Sequence, residues 1–397
     1  MTSRSNWIIL LWLLTIQLGL CQGITILGRV EDQKTGLPLA YANVGIVGKT
    51  LGTGTNSKGE FSLKLTSFSP QDSLQISFIG YELKRIAIKT IQDFVEIKLQ
   101  ENTLQLKEVA VRPWKAFQLM EEVVKRIPEN YDSSATLLKG FYRETVKADC
   151  DPEYILYAEG VLDVYKNSYQ NLSSEDAVKV EKGRVKYRRT FYTNQQDTIR
   201  VPEITQGPSL GVILDIIKNP SFFIQAYKQN FFEYDSLTSY EGRPVYTLKF
   251  SPRRTVNTNQ FLKGKLYIDY ENLAIIGADF EYTPSGYFAA NMQATARIEL
   301  KNRQFRVSYE HEGTRWYMKG ASVDNIWQHR KGKAFLYNKM VFLTTDHLTK
   351  NIAPFDTNEI LKRDTSLGYS ISFEGDNFWE DYNILRSEDE TIKKKNE

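Results

Sequence analysis

Residues 52–65 read GTGTNSKGEFSLKL, and they decide how the N-terminal part of the chain folds. The run Asn56-Ser57-Lys58-Gly59 has the composition of a tight turn, in which the glycine accepts backbone angles that other residues avoid. Polar and apolar residues then alternate from Glu60 to Leu65. Such alternation is typical of a strand with one buried face. The stretch therefore predicts a turn that leads directly into a half-buried β-strand.

The residues on either side continue this pattern. Residues 32–38 are typical of a hairpin loop in which Gly36 can adopt a positive φ. From Leu74 to Phe78 apolar residues alternate with polar ones, and Gly80-Tyr81 ends that run. Short β-rich segments separated by turn residues are the signature of an all-β sandwich. We expect one over residues 24–111.

Four segments of this region carry a family resemblance: GRV at 28–30, GLPLAYANV at 36–44, GTGTNSKGEFSL at 52–63 and FIGY at 78–81. Together they resemble the carboxypeptidase-like regulatory domain, a small β-sandwich of the prealbumin type. In envelope proteins of the Bacteroidetes this domain typically follows a signal peptide. The resemblance implies a non-catalytic accessory module at residues 24–111.

The first 21 residues have the pattern of a secretory signal peptide. Arg4 supplies a positive charge, and an apolar core runs from Trp7 to Leu14. Cleavage after Cys21 would export the protein to the periplasm or the outer-membrane region. A second interpretation makes Cys21 the lipidated residue of a lipoprotein, which would add membrane association. Leu20 fits that motif poorly, because the residue before the cysteine is normally small.

Charge and cysteine content narrow the possible partners. The 397 residues contain 51 Lys and Arg against 48 Asp and Glu, a formal net charge of +3. So small an excess argues against nucleic acid as a partner. The basic run Arg184–Arg189 is typical of a solvated strand face. After removal of the leader only Cys150 remains, so we expect no disulfide within the chain.

A linker helix and a large β domain are expected after the sandwich. Apolar residues recur at helical spacing within residues 113–130. Residues 131–385 contain mostly strand-like runs joined by short turns, including separate strands at Met292–Leu300 and Phe305–His311. About ten strands in an antiparallel meander tend to curl into a barrel or half-barrel. Residues 386–397 form a charged tail. The predicted fold class is therefore mostly β, a prealbumin-like β-sandwich followed by a larger antiparallel curled sheet or half-barrel.

A helical insert at residues 209–230 is expected to interrupt this sheet and to fill its concave side. The first half carries an i, i+3, i+4, i+7 stripe formed by Leu210, Ile213, Leu214 and Ile217. Pro220 is placed to open a second helix. The aromatic residues Phe222, Phe223 and Tyr227 either pack in the core or line a ligand cavity.

The second half of the chain carries further resemblances. The segments are GFYRE at 140–144, YEGRPVY at 240–246, GKLYID at 264–269 and DNFWEDYN at 376–383. They look like parts of Bacteroidetes proteins that bear the accessory sandwich at their N-terminus. The hairpin at Tyr267-Ile268-Asp269 is also similar to strands of the LolA/LolB-type lipoprotein carriers. That likeness implies a half-barrel with helices across its concave face and an apolar ligand cavity beneath them.

The residues show no motif for catalysis or metal binding. The histidines His311, His329 and His347 each stand alone, without the spacing of zinc ligands. No Gly-x-Ser-x-Gly motif is present for a nucleophilic serine. Carboxylates such as Glu144 and Glu159 cannot be placed face to face from sequence alone. We therefore expect no enzymatic activity, no metal and no cofactor.

Arg143 is a candidate for either structure or binding. On a strand it shares one face with Phe141, whereas Tyr142 and Glu144 share the other. If Phe141 faces the core, Arg143 is buried with it and needs a carboxylate partner. A buried ion pair and a ligand contact both remain open for this residue.

These features predict a non-catalytic, exported binding protein of the cell envelope. Its large domain would hold an apolar or acyl ligand, with Arg143, Phe222, Phe223 and Tyr227 as the candidate ligand-binding residues. The alternative is an envelope scaffold or adaptor that acts through protein–protein contacts of the N-terminal sandwich. A hydrolase would require a clustered acid and base, which the sequence does not indicate.

Overall fold

The computed structural model describes most of the chain. The described residues are 23–49, 51–91, 94–104, 115–170, 176–192, 198–199, 204–205, 207–209, 212, 214–218, 226–253, 261–294, 297–331, 334–363, 365–371, 379 and 385–388. They belong to two compact units. The first draws on Met1–Phe78, Glu82–Glu101 and Asp381–Glu397, and the second on Ile79–Tyr81 and Asn102–Glu380.

The expected signal peptide at residues 1–21 lies outside the described residues, as does Cys21. Cleavage and lipidation of the N-terminus therefore stay predictions. Among the residues that the structure does describe, no helix combines the length and the apolar character that crossing a membrane requires.

The strands of the first unit are, in the described part, β1 Ile24–Asp32, β2 Asn43–Ile46, β3 Gly52–Gly54, β4 Glu60–Leu65, β5 Ser73–Ser77, β6 Lys84–Ala87 and β7 Phe94–Leu99. They form a three-stranded sheet in the order β4-β1-β7 and a four-stranded sheet in the order β3-β2-β5-β6. β1 is antiparallel to β4 and parallel to β7. This arrangement confirms the predicted β-sandwich.

The stretch at residues 52–65 folds as its sequence predicts. Gly59 has a φ of 73°, which favours glycine. The side-chain oxygen of Asn56 accepts hydrogen bonds from the backbone N–H of Lys58 at 3.0 Å and of Glu60 at 2.9 Å. In β4 the apolar side chains Phe61 and Leu63 are fully buried. The turn thus fixes the register in which β4 presents its apolar face.

Residues from the C-terminal end of the chain pack against this same turn. The hydroxyl of Ser57 donates to the carboxylate of Glu388 at 2.5 Å. Arg386 is buried, and its Nε lies 3.6 Å from the carboxylate of Glu60. The beginning of the expected charged tail at residues 386–397 is therefore part of the first unit.

The second unit is built around one large antiparallel sheet. Its strands in the described part are β8 Thr103–Leu104, β9 Thr136–Ala148, β10 Tyr154–Lys166, β11 Ala177–Arg188, β14 Asn230–Tyr240, β15 Arg243–Pro252, β16 Leu262–Asp269, β17 Ile275–Tyr282, β18 Ile298–Glu312, β19 Arg315–His329 and β20 Phe335–Leu348. The order across the sheet is β11-β10-β9-β20-β19-β18-β17-β16-β15-β14-β8. Two short strands, β12 Phe191–Tyr192 and β13 Thr198–Ile199, pair separately.

The sheet is open and uncurled. Its outermost strands, β11 and β8, do not pair with each other in the described part of the chain. The prediction of a large antiparallel sheet is confirmed, but the prediction of a curled sheet or half-barrel is wrong. That prediction followed from the number of strands and from the likeness to the LolA/LolB-type carriers, and neither specifies how far a sheet curls.

The order of strands also departs from a simple meander. From β14 to β20 each strand pairs with the next along the chain, as short turns predict. β9 then pairs antiparallel with β20, so that Phe141 lies opposite Leu343. β10 and β11 continue the sheet beyond β9. Both β9 and β20 therefore have a hydrogen-bonded neighbouring strand on each side.

Four α-helices accompany the sheet in the described residues: α1 Ala116–Lys125, α2 Ile127–Asn130, α3 Pro284–Gln293 and α4 Leu367–Ser370. α1 is the predicted linker helix, and it buries Leu119, Met120 and Val123. α3 includes Met292 and Gln293, the first two residues of the expected strand Met292–Leu300. The predicted start of that strand is therefore wrong. That strand and Phe305–His311 instead form the single strand β18, with a register shift at Asn302.

The expected helical insert at residues 209–230 is described only in part. Gly207–Ser209 and Tyr227–Gln229 are short 3-10 helices, and residues 214–218 form turns. Leu214 and Ile217 of the predicted apolar stripe are buried. Leu210 and Ile213 lie outside the described residues.

Candidate functional site

Arg143 lies in the middle of β9, and its side chain is buried against Glu159 of β10. The two residues stand opposite each other in the antiparallel register. Arg143 Nε donates a 2.8 Å hydrogen bond to Oε1 of Glu159, and its Nη2 lies 2.6 Å from the same oxygen. Burial of a guanidinium requires such a partner. Glu159 is therefore the carboxylate partner that a buried Arg143 was predicted to need. A ligand contact for Arg143 stays a prediction.

Three other side chains donate hydrogen bonds to the carboxylate of Glu159. Arg184 of β11 lies opposite Glu159 on its other side and donates from Nε to Oε2 at 2.9 Å. Trp379 Nε1 donates to Oε2 at 2.9 Å, and the Tyr157 hydroxyl donates to Oε1 at 3.0 Å. Burial by itself raises the pKa of Glu159, but Arg143 and Arg184 lower it by more, so the pKa lies below its ordinary value.

A second buried network joins β10 to the described part of the insert. Lys166 Nζ lies 2.6 Å from a carboxylate oxygen of Asp176 and 2.6 Å from one of Asp215. The hydroxyls of Tyr169 and Tyr309 donate to Asp215 at 2.7 Å and 2.9 Å. Burial lowers the pKa of Lys166, but the two carboxylates more than offset this and raise it to about 12. The network fixes residues 214–218 to the sheet.

Glu144 is a further buried carboxylate, and the groups around it are uncharged. Its Oε1 accepts hydrogen bonds from the Ser366 hydroxyl and, at 2.9 Å, from the backbone N–H of Gly368. Its Oε2 accepts from the hydroxyl of Tyr142 at 3.0 Å. Burial outweighs these hydrogen bonds and raises the pKa of Glu144 above its ordinary value. The side chain anchors α4 to β9.

Tyr227 belongs to a cluster of aromatic rings beside α1 and β14. The ring centroid of Phe117, on α1, lies 5.8 Å from that of Tyr227 and 6.5 Å from that of Phe232. All three rings are half-buried, and those of Tyr227 and Phe232 pack against the apolar core of the unit. The neighbouring Phe231 is 56% exposed. Large aromatic surface is thus left accessible at the end of β14.

Arg253 completes this cluster. Its guanidinium carbon lies 5.1 Å from the ring centroid of Phe117 and 5.3 Å from that of Phe231. Its Nε donates to the backbone carbonyl of Asn230 at 3.0 Å. In the part of the chain that the structure describes, no carboxylate lies within ion-pair distance of this side chain. We call Phe117, Tyr227, Phe231, Phe232 and Arg253 the aromatic–arginine cluster.

The structure does not bring the sequence-predicted site residues together. Arg143 on β9 and Tyr227 beside β14 are separated by six strands of the sheet. Phe222 and Phe223 lie outside the described residues. Sequence reasoning missed Arg253, which directly follows Pro252, the last residue of β15.

Phe117 was expected only to pack α1 onto the large domain. Its helical spacing is shared by residues that are fully buried, so the spacing could not separate a packing role from a binding role. The adjacent aromatic residues Phe231 and Phe232 were the feature of the sequence that could have indicated a binding role. On a strand such a pair must place one ring on each face of the sheet.

Other chemistry is not assembled in the described residues. No group of three or more His, Cys, Asp or Glu side chains there is placed to hold a metal ion. His311 packs 4.9 Å from the ring of Trp316, and His347 stacks 4.2 Å from Tyr317. Cys150 is exposed.

Comparisons with known proteins address the two units separately. No curated protein shows a significant match to the chain. Among solved structures, one similar to this chain is an outer membrane lipoprotein-sorting protein domain from Vibrio parahaemolyticus, with 13% identity and a TM-score of 0.30, covering 62% of this chain and 96% of that one. Another is a LolA superfamily protein from Nitrosomonas europaea, with 11% identity and a TM-score of 0.26, covering 60% of this chain and 96% of that one. At such scores the likeness says nothing about a ligand.

The N-terminal unit is matched by a family model. The model of the CarboxypepD_reg-like domain matches residues 26–111, which include strands β2 to β7 and β1 from Ile26 onward. The match agrees with the turn at Asn56–Gly59 and with the alternating burial in β4. The N-terminal part of this chain, residues 26–111, is therefore a CarboxypepD_reg-like domain.

Proposed function

We propose that this chain is a non-catalytic binding protein of the cell envelope that holds an apolar or acyl ligand on its large domain. The observation that carries the proposal is the aromatic–arginine cluster. It combines half-buried rings, two of which pack against the core, with the exposed ring of Phe231. Exposed aromatic groups grouped beside a few polar groups are characteristic of ligand-binding surfaces.

The physical reason is the area that these rings leave in contact with water. Burying apolar surface stabilises a complex by about 25 cal/mol per Å². Phe117, Tyr227 and Phe232 already form a preordered surface, so a ligand would not have to order them. An acyl chain laid across the rings would gain this contact with little loss of side-chain freedom.

The buried ionisable groups of the second unit support a binding role over catalysis. Each oxygen of the Glu159 carboxylate accepts donors from the protein itself, and Asp215 is engaged by Lys166, Tyr169 and Tyr309. A general acid or base must be within reach of its substrate. These carboxylates are instead covered by side chains that hold strands together.

The alternative role, a scaffold that acts through the sandwich, has less support. An edge strand that adds a partner strand is normally flat and apolar. The edge strand β6 instead exposes the charged side chains Lys84 and Arg85. Lys and Arg at an edge protect it from pairing with another chain.

Export is part of the proposal and rests on the leader pattern from Arg4 to Leu20. The CarboxypepD_reg-like domain supports it as a module of exported proteins. A periplasmic or outer-membrane location would give the protein access to acyl lipids. We expect the mature N-terminus, determined on protein recovered from cell fractions, to begin at or just after Cys21.

The binding claim is tested by titrating the purified full chain with a fluorescent long-chain fatty alcohol, which is uncharged. We expect saturable binding that the substitution Phe117→Ser weakens by about tenfold, because one large ring supplies 1.5–3 kcal/mol of burial. Phe288→Ser is the matched control, since Phe288 is an exposed phenylalanine on α3 outside the cluster. Absence of saturable binding, or equal loss in both variants, would contradict the proposal.

A further inference from the structure

Arg253 differs in its partners from Arg143, Arg184 and Arg243, three other arginines that contact aromatic rings. Arg143 and Arg184 stack on rings and also pair with Glu159. Arg243 lies over Trp316 and pairs with Asp269. For Arg253 the described contacts are the two rings and one backbone carbonyl, with no carboxylate.

Among the contacts of the described residues, the geometry leaves the two terminal nitrogens of this guanidinium available. The rings of Phe117 and Phe231 are close to it, at 5.1 Å and 5.3 Å from its central carbon, and they restrict its orientation. Its Nε is used by the carbonyl of Asn230. A guanidinium carries five N–H donors in a planar fork. The two terminal nitrogens hold four of them, in the geometry that grips a carboxylate or phosphate.

A half-buried guanidinium gains from an anion more than an exposed one does. Partial burial removes water from the cation, and a neighbouring negative charge restores the lost stabilisation. Phe117, which flanks Arg253, also packs against Tyr227 and Phe232, and these three rings provide the apolar surface on which an acyl chain would lie. The charge and the apolar surface therefore lie side by side within one cluster.

We propose that Arg253 binds the anionic head group, a carboxylate or a phosphate, of an amphiphilic ligand whose acyl chain lies on Phe117, Tyr227 and Phe232. This inference rests on the proposed function and narrows it from apolar ligands in general to anionic amphiphiles. The stacked guanidinium is pre-organised for two parallel hydrogen bonds to the head group. The rings fix the direction in which the chain leaves it.

The test compares three kinds of probe on the full chain: palmitate and hexadecyl phosphate as anionic amphiphiles, hexadecanol as the neutral match, and acetate and inorganic phosphate as free anions. Binding is measured by competition with the fluorescent fatty alcohol and, for the free anions, by calorimetry. We expect the anionic amphiphiles to bind about tenfold more tightly than hexadecanol, the gain expected from one charge-assisted hydrogen bond. The free anions should bind far more weakly, because they lack the apolar contact.

The variant Arg253→Gln should remove this preference, so that it binds palmitate, hexadecyl phosphate and hexadecanol with similar affinity. Arg330→Gln is the matched control, since Arg330 also donates from Nε to a backbone carbonyl but lies outside the cluster. Arg253→Lys should retain only part of the preference, because lysine lacks the planar fork. Unchanged thermal unfolding of the variants shows that the fold is retained.

Several outcomes would overturn the inference. Equal affinity of the wild-type chain for palmitate and hexadecanol would do so, as would a charge preference that survives in Arg253→Gln. Tight binding of inorganic phosphate that is unaffected by an acyl chain would show an anion site without the amphiphile. Failure of hexadecanol and palmitate alike would instead contradict the proposed function itself.

Discussion

Glu144 and Glu159 are buried carboxylates on neighbouring strands, yet their pKa values move in opposite directions. Glu159 has two guanidinium groups beside it, so its charged form is favoured. The described partners of Glu144 are hydroxyl and amide donors, so burial dominates and favours its neutral form. The sequence predicted that Arg143 needs a carboxylate. It could not identify Glu159 as that carboxylate, because the pairing depends on the register of β9 against β10.

Glu144 gives a prediction about stability against pH. Because the folded-state pKa of Glu144 is raised, its favourable contribution is present below the ordinary pKa and is lost as pH rises through the folded value. We expect Glu144→Gln to match the wild-type free energy of unfolding at pH 4 and to equal or exceed it at pH 8. Urea unfolding at both pH values measures this.

The matched variant Glu144→Ala separates charge from hydrogen bonding. It removes the acceptor of the Ser366 hydroxyl and of the Gly368 N–H, and each buried unpaired donor costs about 1–3 kcal/mol. We expect this variant to be less stable at both pH values. Equal destabilisation by Gln and Ala at pH 8 would show that the carboxylate charge itself is required.

At the scale of elements, the alternation of polar and apolar residues and the helical spacing of apolar residues predicted individual strands and helices, because both patterns are encoded locally. β17 buries Ile276, Ala278 and Phe280 on one face, as their spacing indicates. α3 was missed, although Thr283 caps it by accepting from Gly286 N–H and Pro284 occupies its first turn. These are start signals of a helix, and they were available in the sequence.

Helix α1 gives a prediction that links packing to binding. Met120 is fully buried on the face opposite to solvent, so Met120→Ala should lower the free energy of unfolding by about 2–5 kcal/mol. Because α1 carries Phe117, we also expect weaker binding of the fluorescent fatty alcohol. Thermal unfolding and titration measure the two effects.

The control on the same helix is Lys125→Ala. Lys125 is exposed and pairs with Glu122 at an i, i+3 spacing, so its loss should leave the free energy of unfolding nearly unchanged. Binding should be unchanged in this variant. Loss of binding in Lys125→Ala, or its retention in Met120→Ala, would contradict the role of α1 in positioning the cluster.

At the scale of the whole molecule, the feature that sequence could not supply is the pairing of β9 with β20. The two strands are distant in the chain, and short turns report only on neighbours. The number of strands suggested a curled sheet, but it does not indicate which strands pair with each other. The aromatic–arginine cluster was hidden for the same reason, since Phe117 on α1 is distant in the chain from the other members, which lie within residues 227–253.

The buried ion networks predict how stability depends on pH. The pKa values of Glu159 and Asp215 are lowered, because their cationic and hydrogen-bonding partners outweigh burial. Their contribution is therefore present above pH 4–5, about the pKa of an unfolded carboxyl group, and is lost as pH falls through the folded values. Lys166, with a pKa raised to about 12, contributes below its ordinary pKa and loses that contribution as pH rises through the folded value.

We therefore expect the free energy of unfolding to be level between these limits and to fall steeply on the acid side. Asp215→Asn should be less stable at neutral pH and should show a shallower acid dependence. The control Glu271→Gln, at an exposed carboxyl group, should leave the profile unchanged. A wild-type profile that does not change below pH 4 would contradict the paired state of these groups.

The central claim, that this chain holds an acyl ligand without transforming it, is tested most directly by native mass spectrometry of the full protein after incubation with palmitate. We predict a species heavier than the polypeptide by one intact palmitate, which is diminished in Phe117→Ser and retained in Phe288→Ser. A spectrum that shows only the bare polypeptide, or a ligand of altered mass, would contradict the claim.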